Sequence, residues 1–158
     1  DSIDADAQLV HDKLLYVSFN VGNLQQSIDY YTQVLNMKVF SQTSSSALVG
    51  YSEKECKLQL VASEASVDHA SAFGRLAISD VDINPVIEKV KQTGDKIHTP
   101  PVELPTEGKA TVCVVILSDR DAYEICIVGE EGFNDLSKPV VGADYINWAE
   151  RIANGSKE

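Results

Sequence analysis

Basic residues are scarce in this 158-residue chain: 13 Lys and Arg stand against 24 Asp and Glu, a formal net charge of −11. That balance repels a phosphate backbone, and no basic stripe offsets it, so nucleic acid is not an expected partner. Long apolar runs are also lacking. The longest, Val112 to Leu117, falls far short of the roughly 20 residues a membrane-crossing helix needs, so no membrane partner is expected. Cysteine is limited to Cys56, Cys113 and Cys126, an odd number without disulfide-framework spacing. Each lies in an apolar strand-like run, which suggests a reduced, intracellular chain of the cytosol or mitochondrion. No signal or transit segment is visible, and the opening DSIDADAQ lacks a methionine, which reads as a processed form or a fragment. Catalytic signatures are missing too: no nucleophile elbow, no Gly-rich phosphate loop and no His-x-x-x-His pair. His11, His69 and His98 fall in the opening arm or in connections and are expected at the surface.

What is present is an ordinary globular composition, 44% hydrophobic and 23% charged, enough to fill an interior. Residues 1–12 are acidic and aperiodic, as in a linker or disordered arm. Leu15, Val17, Phe19 and Val21 then alternate with Tyr16, Ser18 and Asn20, the period-two signature of a strand with one buried face. Asn23 is placed to cap a helix whose stripe is Leu24, Ile28, Tyr31 and Leu35. Asn36 stands where the chain must turn left-handed. Strands are expected around 37–43, 47–52 and 56–63.

The pattern then repeats. Arg75, Leu76, Ala77, Ile78 and Ser79 alternate again, Asp82 is the second capping residue, and Ile83, Ile87 and Val90 form the second stripe, closed by Gly94. Tyr16 to Arg75, Asn23 to Asp82 and Asn36 to Gly94 are separations of 59, 59 and 58 residues. Start, cap and stop in one register make an internal duplication. Strands at 97–104, 111–117 and 123–128 complete it, with Asp119-Arg120-Asp121-Ala122 as the last turn. The expectation is an α+β fold: module one at 13–64 and module two at 71–130, two paired β-α-β-β-β units forming a curved mixed sheet. An extension at 131–158 follows, with a helix about 143–153 whose Trp148 packs on its own domain.

Parity assigns side chains to the concave face. Tyr16, Ser18 and Asn20 belong there from the first strand. Lys57, Gln59 and Val61 join them from the fourth, because Leu58 and Leu60 make its apolar face. Module two contributes Arg75, Ala77 and Ser79, then Glu124, Cys126 and Val128. Concave faces with a few convergent polar groups are where ligands bind. Cys56 and Cys113 fall on apolar faces and read as core.

The run VGNLQQSIDYYTQVLNMK resembles the first strand and helix of glyoxalase I and its relatives, the vicinal oxygen chelate superfamily. FGRLAIS and DRDAYEI extend the likeness over residues 14–130. ALVGYSEKECKLQL, GKATVCVVIL and GEEGFNDLSK resemble the C-terminal half of the larger glyoxalase domain-containing proteins, which implies a partner: the N-terminal half of the same protein, or a second protomer. Such relatives bind Zn or Ni through four side chains on the first and fourth strands of each module. Those four places fall here on Tyr16, Gln59, Arg75 and Cys126, none of them the family's residue.

Gln59 has an amide oxygen to offer and Cys126 a thiolate, but Arg75 carries only donors and a fixed charge. Held about 4 Å from a dication, it would cost roughly 8 kcal/mol at an effective dielectric of about 20. The metal site of this half therefore reads as lost, with no cofactor expected. The resemblance then implies a non-catalytic half that binds a small molecule or serves as a scaffold. Its alternative is part of a lactoylglutathione lyase acting on the methylglyoxal–glutathione hemithioacetal, completed by another half or protomer. Arg75 with Lys57 suits an anionic ligand or, equally, Arg75 pairs with Glu124. Cys126 reads as inert packing, Tyr16 as filling the place of a metal, and Ala122 as a strained turn residue if its φ is positive.

Overall fold

The computed structural model describes residues 14–105 and 107–137. The first strand, β1, spans Tyr16–Val21. Asn23 caps α1 (Leu24–Asp29) as forecast, its side chain accepting from the Gln26 N–H. The helix then continues as a π-wound turn, Tyr30–Val34. That wider winding brings consecutive Tyr30 and Tyr31 to full burial, their rings edge-to-face at 5.5 Å. Asn36 follows in the left-handed region at φ 57°. β2 (Lys38–Gln42), β3 (Ser46–Gly50) and β4 (Lys57–Ala62) complete module one.

Module two repeats the order: β5 (Arg75–Asp80), α2 (Asn84–Thr93), β6 (Lys96–Leu104), β7 (Val112–Ser118) and β8 (Glu124–Gly129). Gly94 ends α2 at φ 74°. Asp82 starts it differently from expectation. The N-cap position is Ile83, and Asp82 holds the Asn84 N–H and side-chain amide from one residue earlier.

Each module has its own four-stranded mixed sheet, ordered β1-β4-β3-β2 and β5-β8-β7-β6. β1 runs parallel to β4, and β5 parallel to β8. Pro100 and Pro101 sit in β6, which is an edge strand with a register shift at that point, the place where a strand tolerates missing N–H groups.

One apolar core joins the modules. It takes Val49, Leu58 and Leu60 from the first sheet, Val115, Leu117, Ile125 and Ile127 from the second, and the stripes of both helices.

The β7–β8 turn locks this arrangement. Asp119 accepts a 2.7 Å hydrogen bond from the Tyr31 hydroxyl and two from the turn's own Asp121 and Tyr123 N–H groups. Arg120 donates to the Gln26 carbonyl and to both oxygens of Asp95. Asp121 accepts from the Gly22 N–H and the Ser27 hydroxyl, placing a negative charge at the positive end of α1. The Tyr123 hydroxyl donates to the Asn20 carbonyl, and its ring stacks on Phe19. Every residue from 119 to 123 except Ala122 thus reaches module one through its side chain.

Several expectations change. A helix, α3, spans Glu130–Ser137 directly after β8, while the helix expected about 143–153 and the arm at 1–12 lie outside the described residues. Cys56 is exposed, because β4 begins one residue later, at Lys57; Cys113 is half-buried and packs on the core. His98 lies within β6 rather than in a connection. His69 is not a plain surface residue: its Nε2 meets the Asp121 carbonyl at 2.7 Å and its ring stands edge-on to Tyr123. His11 lies outside the described residues. Among the described residues no helix is long and apolar enough to cross a membrane.

Candidate functional site

Parallel pairing sets the site residues side by side in each module. Tyr16 lies opposite Lys57 and Ser18 opposite Gln59, and the Ser18 hydroxyl donates to Gln59 Oε1 at 2.6 Å. In module two Arg75 lies opposite Glu124 and Ala77 opposite Cys126. The side chains face as parity foretold, since Leu58, Leu60, Ile125 and Ile127 are buried on the other face.

The two sets stay apart within one chain. Among the described residues no hydrogen bond or ion pair joins Tyr16, Ser18, Lys57 or Gln59 to Arg75, Glu124 or Cys126. Lys57 folds back on its own loop, donating to the Glu53 and Glu55 carbonyls and lying 4.8 Å from the centre of the Phe40 ring. It lines a cavity of about 410 Å³ with Ala77 and Ser79 of β5, and Arg75 is not part of that lining.

Of the two alternatives for Arg75, pairing with Glu124 is what the structure shows. Nε donates to Glu124 Oε2 at 2.8 Å and Nη2 donates to the same oxygen. His98 Nε2 is 3.4 Å from the other carboxylate oxygen. Hydrogen bonding from Arg75 holds the Glu124 carboxyl below its ordinary range. Replacing Arg75 by Met is therefore expected to raise the Glu124 pKa towards the usual glutamate value, read from its side-chain carboxyl carbon in an NMR titration. The sign follows: a depressed carboxyl adds stability above its unfolded pKa and loses it as pH falls through the folded value. Arg75→Met should remove that part of the acid dependence.

Cys126 is half-buried behind this pair. Burial pushes its thiol up, outweighing the opposing pull of Arg75, so it stays protonated near neutral pH and is a weak nucleophile and ligand. Around it the same face of the second sheet is apolar, with Val112, Val114 and Val128 buried. Helix α3 packs on this sheet. At Gly132 a Cβ would lie 2.6 Å from the Thr111 carbonyl, so only glycine allows that approach.

Parity missed His98 and the connection carrying Asp68, His69 and Phe73. A bulge in β6 turns His98 towards Glu124, and bulges leave no period-two trace. A cleft of about 600 Å³ lies at the heads of β5 and β8, walled by Val17 and Phe19 of β1 and by Asp68, His69, Ala72, Phe73 and Gly74 of the connection.

The chain matches the family described as glyoxalase domain-containing protein 4-like, C-terminal domain, over residues 23–136. It is 44% identical over 131 residues to mouse glyoxalase domain-containing protein 4, covering 80% of this chain and 44% of that one. It is 40% identical over 128 residues to Caenorhabditis briggsae glyoxalase 1, covering 80% and 46%. The chain thus spans less than half the length of these relatives. Escherichia coli O157:H7 lactoylglutathione lyase is 30% identical over 129 residues, covering 75% of this chain and 93% of the enzyme. Two solved structures share the fold. Leishmania major glyoxalase I has a TM-score of 0.63 at 22% identity, covering 80% and 92%. Zea mays glyoxalase I has a TM-score of 0.64 at 23% identity, covering 75% and 44%. The duplicated β-α-β-β-β fold and these likenesses agree: the chain belongs to the glyoxalase domain-containing protein 4-like C-terminal domain family.

Proposed function

We propose that this chain is a non-catalytic half of a larger glyoxalase domain-containing protein, a small-molecule-binding or scaffolding module without a metal of its own. Arg75 carries the reading. At a place where relatives of this fold hold a metal ligand stands a guanidinium, fixed by Glu124. Tyr16 offers a phenol, Gln59 an amide whose oxygen already accepts from Ser18, and Cys126 a protonated thiol. Such a set does not fit a dication. Among the described residues no three His, Cys, Asp or Glu side chains gather closely enough to hold one.

The small-molecule ligand, anionic in this reading, belongs with the cationic side of module two, at Arg75. Scaffolding is supported by two strand edges. β1 and β5 each end a sheet, and Leu14, Leu15, Tyr16 and Val17 are exposed. An open edge with apolar residues is a template for another strand, supplied here by the N-terminal half or a second protomer. Thiols without a disulfide suit the cytosol or mitochondrion.

Calorimetric titration of the purified chain with Ni²⁺ or Zn²⁺ is expected to show no stoichiometric binding. Binding at one equivalent, competed by a glutathione conjugate, would sink the reading. It would favour a second one, part of a lactoylglutathione lyase acting on the methylglyoxal–glutathione hemithioacetal. Likeness along 93% of the bacterial enzyme's length supports that alternative. The longer protein, assayed for hemithioacetal isomerisation with and without this half, separates the two: activity that needs this half and its Gln59 favours the enzyme.

A further inference from the structure

The geometry points to an organic acid. We propose that the cleft at the heads of β5 and β8 binds a small monocarboxylate bearing an aromatic ring, with the carboxylate on Arg75. The proposal deepens the reading of this chain as a binding half, and rests on it only in that Arg75 stands beside no metal.

The cleft's volume of about 600 Å³ falls within the range of small-molecule sites. Its apolar side is aromatic. Phe19 and Tyr123 stack with centroids 4.1 Å apart and planes 5° from parallel. Phe73 stands at the mouth, 78% exposed, with the Arg75 guanidinium 5.1 Å from its centre. Ring and cation are thus presented together, which suits a ligand with an aromatic body and a charged end.

Glu124 aims Arg75 without exhausting it. A guanidinium has five N–H donors in a fixed fork, and Glu124 takes those of Nε and Nη2 on a single oxygen. The remaining edge, formed by Nη1 and the second Nη2 hydrogen, is free to grip a second carboxylate end-on. A cationic ligand suits the cleft less, because Arg75 already holds the place over Phe73. Asp68, the other carboxylate in the lining, closes its own turn by accepting from the Ala70 N–H. Its charge favours one negative group on the ligand over two. His69, committed through Nε2 to the Asp121 carbonyl, donates from that nitrogen and leaves Nδ1 as an acceptor.

Strained backbone clusters here as well. Among the described residues three non-glycine residues have positive φ. Asn36 merely ends a helix, but Ala122 (φ 65°) lines the cleft, and Ala70 (φ 47°) lies between lining residues His69 and Ala72. Alanine in this region is held against its preference, a feature that concentrates at ligand sites.

The test is a ¹H–¹⁵N NMR titration of the full chain with 3-phenylpropanoate, against 3-phenylpropan-1-ol, which lacks the charge, and propanoate, which lacks the ring. The acid is expected to bind at about millimolar concentration, as a fragment of that size does. It should shift the Arg75 Nε–H and the amides of Phe73, Gly74, Ala122 and Tyr123. Both comparators should bind about tenfold more weakly or worse, and Arg75→Lys, which keeps the charge but loses the fork, should weaken the acid about tenfold. Phe73→Ala, an exposed change that spares the fold, should weaken it several-fold. Equal binding of alcohol and acid, shifts centred on Ser18 and Gln59, or no shift at about ten times that concentration overturns the proposal. Absence of both metal and acid binding defeats this site alone, whereas a metal bound at Gln59 or Cys126 defeats the metal-free reading first.

Discussion

Asp119→Ala is expected to lower folding stability by about 3 kcal/mol, a fall of about 10 °C in Tm for a domain of this size. The carboxylate is buried and accepts three hydrogen bonds, from the Tyr31 hydroxyl and the Asp121 and Tyr123 N–H groups. Truncation leaves a buried phenol and a tight turn without an acceptor, and leaving buried donors unmade costs more than the bonds themselves contribute. One effect opposes this. Burial raises the Asp119 pKa despite those bonds, so the ionised carboxylate is itself uncomfortable and its removal recovers part of the loss. Asp119→Asn isolates that part, since it keeps an acceptor and drops the charge. A carboxyl with a raised folded pKa contributes most below its unfolded value, here 3.8, and loses that contribution as pH rises through the folded value. The wild type's advantage over Asp119→Asn should therefore shrink from about pH 4 upwards, measured by urea midpoints across pH. A double-mutant cycle with Tyr31→Phe should show coupling of about 1 kcal/mol or more. Additive losses would mean that the turn does not hold module one through this bond.

The fold was legible in the sequence because its two periods are physical. Period two in residues 15–21 and 75–79 became β1 and β5, although Leu15 and Val17 of the expected buried face are exposed, and the stripes at Leu24–Leu35 and Ile83–Val90 became the core faces of α1 and its π turn, and of α2. Asn36 and Gly94 marked helix ends because few residues accept positive φ. Parity also put Ser18, Gln59, Arg75 and Glu124 on the polar faces of their strands, while the parallel pairing that sets Ser18 beside Gln59 and Arg75 beside Glu124 came only with the structure. Less legible was whatever depends on distance in space. Nothing in Tyr31 announces that it meets Asp119, 88 residues away. A side chain's facing does not say whether two polar faces of different modules meet, and here Lys57 folds onto its own loop instead. His69 and Phe73 lie in an aperiodic connection, where no pattern signals that the segment walls a cleft. The bulge at His98 is likewise invisible to a period count.

Leu60→Ala is expected to cost about 3 kcal/mol, and the greater interest lies in where the loss appears. Leu60 is fully buried in β4, at the centre of module one's sheet. Among the described residues no strand pairing connects that sheet to module two's; the link is a core shared with Val115, Leu117, Ile125 and Ile127, together with the turn at 119–123. If that core makes one cooperative unit, a cavity at position 60 weakens both modules equally. Unfolding should stay a single transition with unchanged denaturant dependence. Amide exchange at Leu117, Ile125 and Ile127 should accelerate by about a hundredfold, as fast as at Leu58, because every 1.4 kcal/mol is worth about a factor of ten. Acceleration confined to module one would instead make the two halves separate folding units that merely touch. Each would then be able to open on its own and offer its sheet edge to a partner while the other stays closed. Either module would be free to exchange partners without unfolding the rest of the chain, whereas a shared core ties any such exchange to the stability of the whole domain.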